Sequence, residues 1–441
     1  MTTGLPTGFE GWVAEAARAA SGRGLEWLEA RRRTALEQAR AQGMPTSKDE
    51  HWRYTSLTGL REQAFALPTE PLTALQRDDI EEALIDGLDS HRVVLVNGRF
   101  IPELSPLEAL PKGVRIAGLA QLLESEPDLL QGHLNAVAGD DLPLFAALNT
   151  ASLDDGVVVI VDGGAVLERP IELVHLSVGL DEPRVAQPRN LVVMQAGARA
   201  TLIERYLSLG DSLYCTNCVT EVSLGRDAHL AHERIQDESP SAFHIAGLYL
   251  RQDTGSNYVG INVGLGARWA RTDLCVRFSG EHADCDLQGL YLAGDGQLMD
   301  YHLDVAHELP NCRSQENFKG ILHGKGRAVF DGLVFVAEDA QKTDAAMSNR
   351  NLMLSESAEL DTKPQLEINA DDVKCSHGTT VGRIEPEMLF YLRSRGISAP
   401  IARRMLCLGF AGEIIDKLST EALRDYVTEQ VGQRLESAPL S

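Results

Sequence analysis

The chain has 441 residues, no cysteine before Cys215, and no apolar run near the roughly 20 residues of a membrane-spanning helix. Its N-terminus lacks a basic region followed by an apolar run, so no secretory signal is expected. Positive charge is scarce: 41 Lys and Arg stand against 64 Asp and Glu, a formal net charge of -23. That balance argues against nucleic acid and anionic membranes as partners, since both attract basic patches. Also missing are a Gly-x-x-x-x-Gly-Lys phosphate loop, a Gly-x-Ser-x-Gly elbow and a His-Glu-x-x-His helix, so no catalytic engine is visible and no enzymatic activity is expected. The seven cysteines (Cys215, Cys218, Cys275, Cys285, Cys312, Cys375 and Cys407) are odd in number and follow no small-scaffold spacing. They read as free thiols in a reducing compartment, and the protein as soluble and cytoplasmic.

What is present is glycine (39 residues) with few aromatics (5%), a balance expected of many short strands joined by tight turns. The first 90 residues are helical in pattern. Phe9, Trp12, Val13, Ala16 and Ala20 fall at helical spacing, a second helix spans 25–42, and a third amphipathic run covers 78–88. Arg31, Arg32 and Arg33 are read as a solvated helix face in preference to an anion site. Residues 50–55, Glu-His-Trp-Arg-Tyr-Thr, form a compact packing anchor. Residues 91–155 are mixed: a buried strand at 93–96, a hairpin turn at Asn97–Gly98, and helical patterns at 119–123 and 141–148.

From 156 to 382 helical periodicity vanishes. Strand-like runs recur at 157–161, 171–176, 191–194, 201–203, 219–222, 259–263, 274–278 and 328–336. Small turns beginning at Gly197, Gly225, Gly294, Gly324 and Ser355 recur roughly every 30 residues, which suggests a stacked β-solenoid. A sandwich would also give short strands, but over 200 strand-rich residues are many for one sandwich. Solenoid ends need caps, and the flanking helical segments are expected to supply them. Residues 383–441 return to helical spacing; these helices either cap the solenoid or present an apolar groove or ridge to a partner.

Residues 361–382, DTKPQLEINADDVKCSHGTTVG, hold the densest chemistry. If extended, this stretch puts Val373, Cys375 and His377 on one face. A thiol and an imidazole two residues apart could reach one soft or borderline metal such as iron. Weighed against that, a lone strand cysteine is usually core. Two ligands cannot hold an iron–sulfur cluster, which takes about four, so the remainder would come from another chain. Asp371 and Asp372 could raise the proton affinity of His377 or help attract iron. Elsewhere, Cys215 and Cys218 have zinc-like spacing but lack a second pair. His229 and His232, three apart in a strand, face opposite ways and cannot easily complete a site. His302, His307 and Cys312 lie near Asp300 and Asp304; hydrogen bonding is their expected role.

Several strings together resemble one family: EHWRYTSL (50–57), LFAALNTASLDDG (144–156), LERPIELVHL (167–176), AQKTDAAMSNRNLMLS (340–355), the 361–382 stretch and LFYLRSRGI (389–397). The chain resembles the SufB/SufD family of iron–sulfur cluster assembly proteins over nearly its whole length, and its SufD branch most. The absence of an N-terminal cysteine cluster, common in SufB, favours SufD. The resemblance implies a mainly β fold: a right-handed parallel β-helix at 156–382 between an N-terminal helical region (1–90, then the 91–155 segment) and a C-terminal one (383–441). It implies pairing with SufB through the β-helix, binding of the ATPase SufC through the C-terminal helices, and sulfide supplied indirectly by a desulfurase system. It implies a non-catalytic scaffold with no cofactor stably bound alone, a transient cluster at the SufB–SufD interface with metal contact at His377 and Cys375, and a reduced flavin in the complex at no assignable residue. The rivals are a homodimeric SufB-like cluster carrier and a metal-dependent solenoid hydrolase built on the Asp300–His307 group.

Overall fold

The computed structural model describes residues 8–19, 24–67, 75–107, 110–179 and 182–437. Ala20, the last apolar position of the first helical run, lies outside them. The centre is a pair of ten-stranded sheets between which the chain alternates. Strands Arg199–Leu209, His229–Asp237, Asn257–Gly264, Asp284–Ala293, Arg313–Leu322, Asp344–Met353 and Lys374–Gly382 belong to sheet I. Strands Tyr214–Leu224, Phe243–Gln252, Trp269–Phe278, Leu298–His307, Arg327–Val336 and Glu359–Ile368 belong to sheet II. All these pairings are parallel, each residue stacking on one a coil earlier; the offset runs from 26 residues (Trp269 on Phe243) to 32 (Glu359 on Arg327). The molecule is mainly β, a parallel β-solenoid of about eight turns flanked by helices. The recurrence of roughly 30 residues seen in the sequence is the length of one coil.

The period of two sorts each strand. Leu202, Leu230, Tyr258, Leu287 and Phe318 of sheet I point inward, joining Val222, Leu248, Leu274, Leu303 and Phe330 of sheet II in one continuous core. Stacked rungs place like residues over like, and no coil could bury this surface without its neighbours. The N-terminal edge of each sheet is antiparallel. His91–Val96 turns back through Asn97 and Gly98 (φ 48° and 83°) into Arg99–Phe100, the tight hairpin its sequence predicts. Val114–Gly118 pairs antiparallel with Val157–Val161.

The helices clothe the sides of the solenoid, contrary to the expectation that they cap its ends. Helices Gly8–Ala19, Glu26–Gln42 and Leu144–Ala151 lie on the outside of sheet II, packing Trp12, Leu36 and Phe145 with Val219, Ile245 and Trp269. Helices Ala399–Ile415 and Glu421–Ser437 lie on the outside of sheet I, where Ile414, Val427 and Val431 meet Ile235, Ile261, Leu290 and Ile321. The reason is an aliphatic outer column: outward positions of sheet I that would otherwise face water are Ile, Val and Leu, and only a helix stripe covers them. The last strand, Lys374–Gly382, stays exposed along nearly its whole length.

Two smaller expectations change. The run at 78–88 is a 3-10 helix, Arg77–Ala83. Arg32 is not on a solvated face: it is buried and donates to the carbonyls of Ala19 and Leu153, while Arg31 donates to those of Leu134 and Gln131. The anchor at 50–55 does pack: the Arg271 guanidinium lies 3.8 Å over the Trp52 ring, and Thr55 donates to Asp300 at 2.5 Å.

Candidate functional site

Both sheets end, at the same end of the solenoid, on a strand whose outer edge is unpaired, Lys374–Gly382 in sheet I and Glu359–Ile368 in sheet II. Residues 369–373 between the two strands bend at Asp371 and Asp372, while the stretch that carries Cys375 and His377 is extended. Its register fixes the orientation: Cys375 stacks on Ala345 and His377 on Met347, both buried inward positions. Cys375 and His377 therefore continue the inward columns of sheet I onto an end that no further coil covers. Cys375 is half-buried and packs against the core; His377 is exposed. Burial raises the Cys375 thiol, so a metal binding it must displace a proton. Ile368 and Val381 flank the same end, 40% and 57% exposed, an apolar rim that isolated strands seldom leave open.

Of the acidic pair expected to act on His377, Asp372 is engaged elsewhere. The Asp372 carboxylate is engaged by Lys342, and its backbone N–H donates to Gln341. A carboxyl the sequence reading missed lies behind the site instead. Leu287, Glu316, Met347 and His377 occupy successive rungs of one inward column. Glu316 is thus two rungs beneath His377, roughly 9–10 Å along the sheet. It is fully buried, neither carboxylate oxygen has a partner at good hydrogen-bond geometry, and burial pushes it up to about 8 against the smaller opposing pull of the nearby Ser314 hydroxyl. The signal was present as alternation: Ser314, Glu316 and Phe318 share a phase whose other members are core.

The remaining candidates separate. Cys215 faces outward beneath the N-terminal helices, while Cys218 faces inward, so the pair cannot share an ion. His232 is buried and His229 partly exposed, on opposite faces as their spacing requires. The Asp300 group does not converge. His302 Nε2 is 3.0 Å from Asp300, His307 is bound to Ser314, and the Cys312 thiol donates to the Gly280 carbonyl. Asp300 also takes Arg271 and Thr55, which commits it to the N-terminal anchor. No helix of the described residues is long and apolar enough to cross a membrane.

Comparison with known proteins bears on the whole length. Residues 177–410 match the family model "SUF system FeS cluster assembly, SufBD core domain", and residues 14–173 match "SufBD protein N-terminal region". The chain is 35% identical over 402 residues to the iron–sulfur cluster assembly protein SufD of Escherichia coli, covering 91% of each chain. It is 34% identical to an iron–sulfur cluster assembly SufBD family protein of Synechocystis, over 89% of this chain and 87% of that one. With SufD of Bacillus subtilis the identity is 24% over 93% and 94% of the two chains. The first matched domain covers the coils that carry Cys375 and His377, the second the helices and antiparallel edge that precede them. The chain belongs to the SufB/SufD family of the SUF iron–sulfur cluster assembly system.

Proposed function

We propose that this chain is a non-catalytic, SufD-type scaffold subunit that pairs with SufB through the open end of its solenoid, so that a nascent iron–sulfur cluster forms as cargo between them. One observation carries the reading: a pair of terminal strands with unpaired outer edges presents a thiol and an imidazole on the inward face. Unsatisfied strand edges are templates for another strand, and continuing the coil with a partner's β-helix would satisfy them. Two ligands are too few to retain a cluster, which takes about four, so the partner brings the others. No iron–sulfur cluster is retained by the chain alone, and any reduced flavin belongs to the complex. His377 is the main contact from this side; Cys375, protonated and half-buried, contributes less.

The C-terminal helices dock the ATPase SufC. Met388, Phe390, Tyr391, Ile401 and Met405 are exposed on helices Pro386–Ser394 and Ala399–Ile415, an apolar ridge on a side of the molecule where nothing described covers it. ATP-driven approach of two SufC copies would supply the differential energy that opens or closes the shared site.

The experiment pairs assembly with chemistry. In the complex reconstituted with SufB and SufC, His377→Ala should lower cluster yield while complex formation and thermal stability hold, because an exposed imidazole leaves no cavity. Cys375→Ala should have the milder effect. A His377→Ala complex that matures clusters normally would refute the role. A wild-type chain that retains a stoichiometric cluster by itself, as a homodimer, would establish the SufB-like alternative.

A further inference from the structure

The solenoid interior changes character along its axis. Toward the open end it is filled by Tyr291, Tyr301, Phe318 and Phe330. Nearer the N-terminal edge it holds a wholly buried polar layer. At the heart of that layer is the side-chain nitrogen of Asn190. It lies 2.9 Å from Glu204 Oε1, 3.2 Å from His175 Nε2, 3.3 Å from Thr220 Oγ1 and 3.6 Å from Cys218 Sγ. An amide nitrogen has two protons for these four acceptors. The ligating atoms of His175, Glu204 and Cys218 lie within 4.8 Å of one another. Meanwhile Asn190 Oδ1 and His175 Nδ1 are buried without any partner. Each such orphan is stripped of water with nothing in return. One amide nitrogen thus stands among acceptors that it satisfies only in part, at spacings ligands of one ion would have.

We propose that His175, Glu204, Cys218 and Asn190 form a site inside the solenoid for one borderline divalent transition-metal ion, zinc or ferrous iron. A half-turn of the Asn190 amide exchanges its nitrogen for the orphaned Oδ1, which gives four donors: imidazole nitrogen, carboxylate oxygen, thiolate sulfur and amide oxygen. That mixture suits zinc or iron(II) and not calcium or magnesium, which call for oxygen donors. The surroundings orient the donors. Glu204 Oε2 is held by His232 at 3.0 Å and Arg234 at 3.1 Å, which leaves Oε1 turned toward Asn190, where Tyr206 and Thr220 also donate to it. Cys218 is a free, buried cysteine and enters the site with its thiol proton. Ligation forms the metal–sulfur bond and releases that one proton to solvent, as is general for coordinated thiols.

Cobalt(II) is the probe, because a thiolate ligand gives it a sulfur-to-metal charge-transfer band. The full chain is produced in cobalt-supplemented medium and freed of loose metal by a chelating column; zinc and, without oxygen, ferrous iron are then competed against the cobalt. The expected result is close to one cobalt per chain with a charge-transfer band. Cys218→Ser should abolish the band and weaken retention at least about tenfold, while Cys375→Ala keeps both. If Cys218→Ser does not fold, X-ray absorption at the cobalt edge of the wild-type chain decides, since the site requires a single sulfur among nitrogen and oxygen scatterers. A wild-type chain with neither retained metal nor band would overturn the proposal and leave a hydrogen-bonded layer only. So would a band that vanishes in Cys375→Ala but survives Cys218→Ser, or an all-nitrogen-and-oxygen shell.

Discussion

Glu316→Gln should stabilise the folded chain at neutral and alkaline pH, by an amount that grows with pH. Glu316 is wholly inside the solenoid with no partner at good hydrogen-bond geometry for either oxygen, and burial moves it from an ordinary value of 4.5 to about 8. At pH below 4.5 the carboxyl is protonated in folded and unfolded chains alike, and the substitution changes little. Between the two values the unfolded chain has released the proton and the folded chain still holds it. The folded state then binds more protons, so stability falls as pH rises, until it levels off above about pH 8. At about 1.36 kcal/mol per pH unit, the roughly 2.5 units from 4.5 to 7 amount to about 3 kcal/mol of lost stability at neutral pH. Glutamine has nearly the same shape and carries no such loss. Urea unfolding of both chains from about pH 5.5 to 9 measures it: the gap should widen by about 1.4 kcal/mol per unit up to about pH 7.5 and then flatten. A gap that stays constant with pH would mean that Glu316 ionises normally in the folded chain, and the account of an unpartnered buried carboxyl behind His377 would fail.

Glu221 accepts backbone N–H groups from Asn135, Val137 and Ala138 and the Arg189 guanidinium at 2.7 Å, all beneath the N-terminal helices. Glu221→Ala strands a buried Arg189 and should cost about 3–5 kcal/mol in chemical unfolding; a cost below about 1 kcal/mol would contradict the burial of that pair. Truncation after Gly382 strips the helices from sheet I and exposes Ile235, Ile261, Leu290 and Ile321, so the shortened chain should bind an apolar dye and aggregate; a monodisperse, dye-silent product would refute the side-on packing. Val381→Lys alters an exposed edge residue and should leave the melting temperature unchanged while weakening SufB capture at least about tenfold, a loss of about 1.4 kcal/mol; undiminished capture would move the interface elsewhere.

The repeating coil is written in the chain itself, because each turn needs its own glycine or small-residue break at nearly constant spacing. So is the fact that Cys375 and His377 share a face, and that Cys215 and Cys218 do not, because strand geometry alternates strictly. Which face is inside is not written there. That depends on which rungs become neighbours, and the offset varies from 26 to 32 residues, so spacing alone does not identify adjacent partners. The strands 229–237, 243–252, 298–307, 313–322 and 344–353 were poorly legible for a related reason. Their inward positions mix His, Glu, Arg and Asn with apolar residues, which blurs the alternation a strand normally displays. Folding in three dimensions set the helices along the sides, since their stripes answer an outer column of Ile, Val and Leu gathered from separate coils. It also stacked Glu316 beneath His377 and brought His175, Asn190, Glu204 and Cys218 together. Those four come from four strands in two sheets, and no local pattern records a meeting created by stacking coils about 30 residues apart.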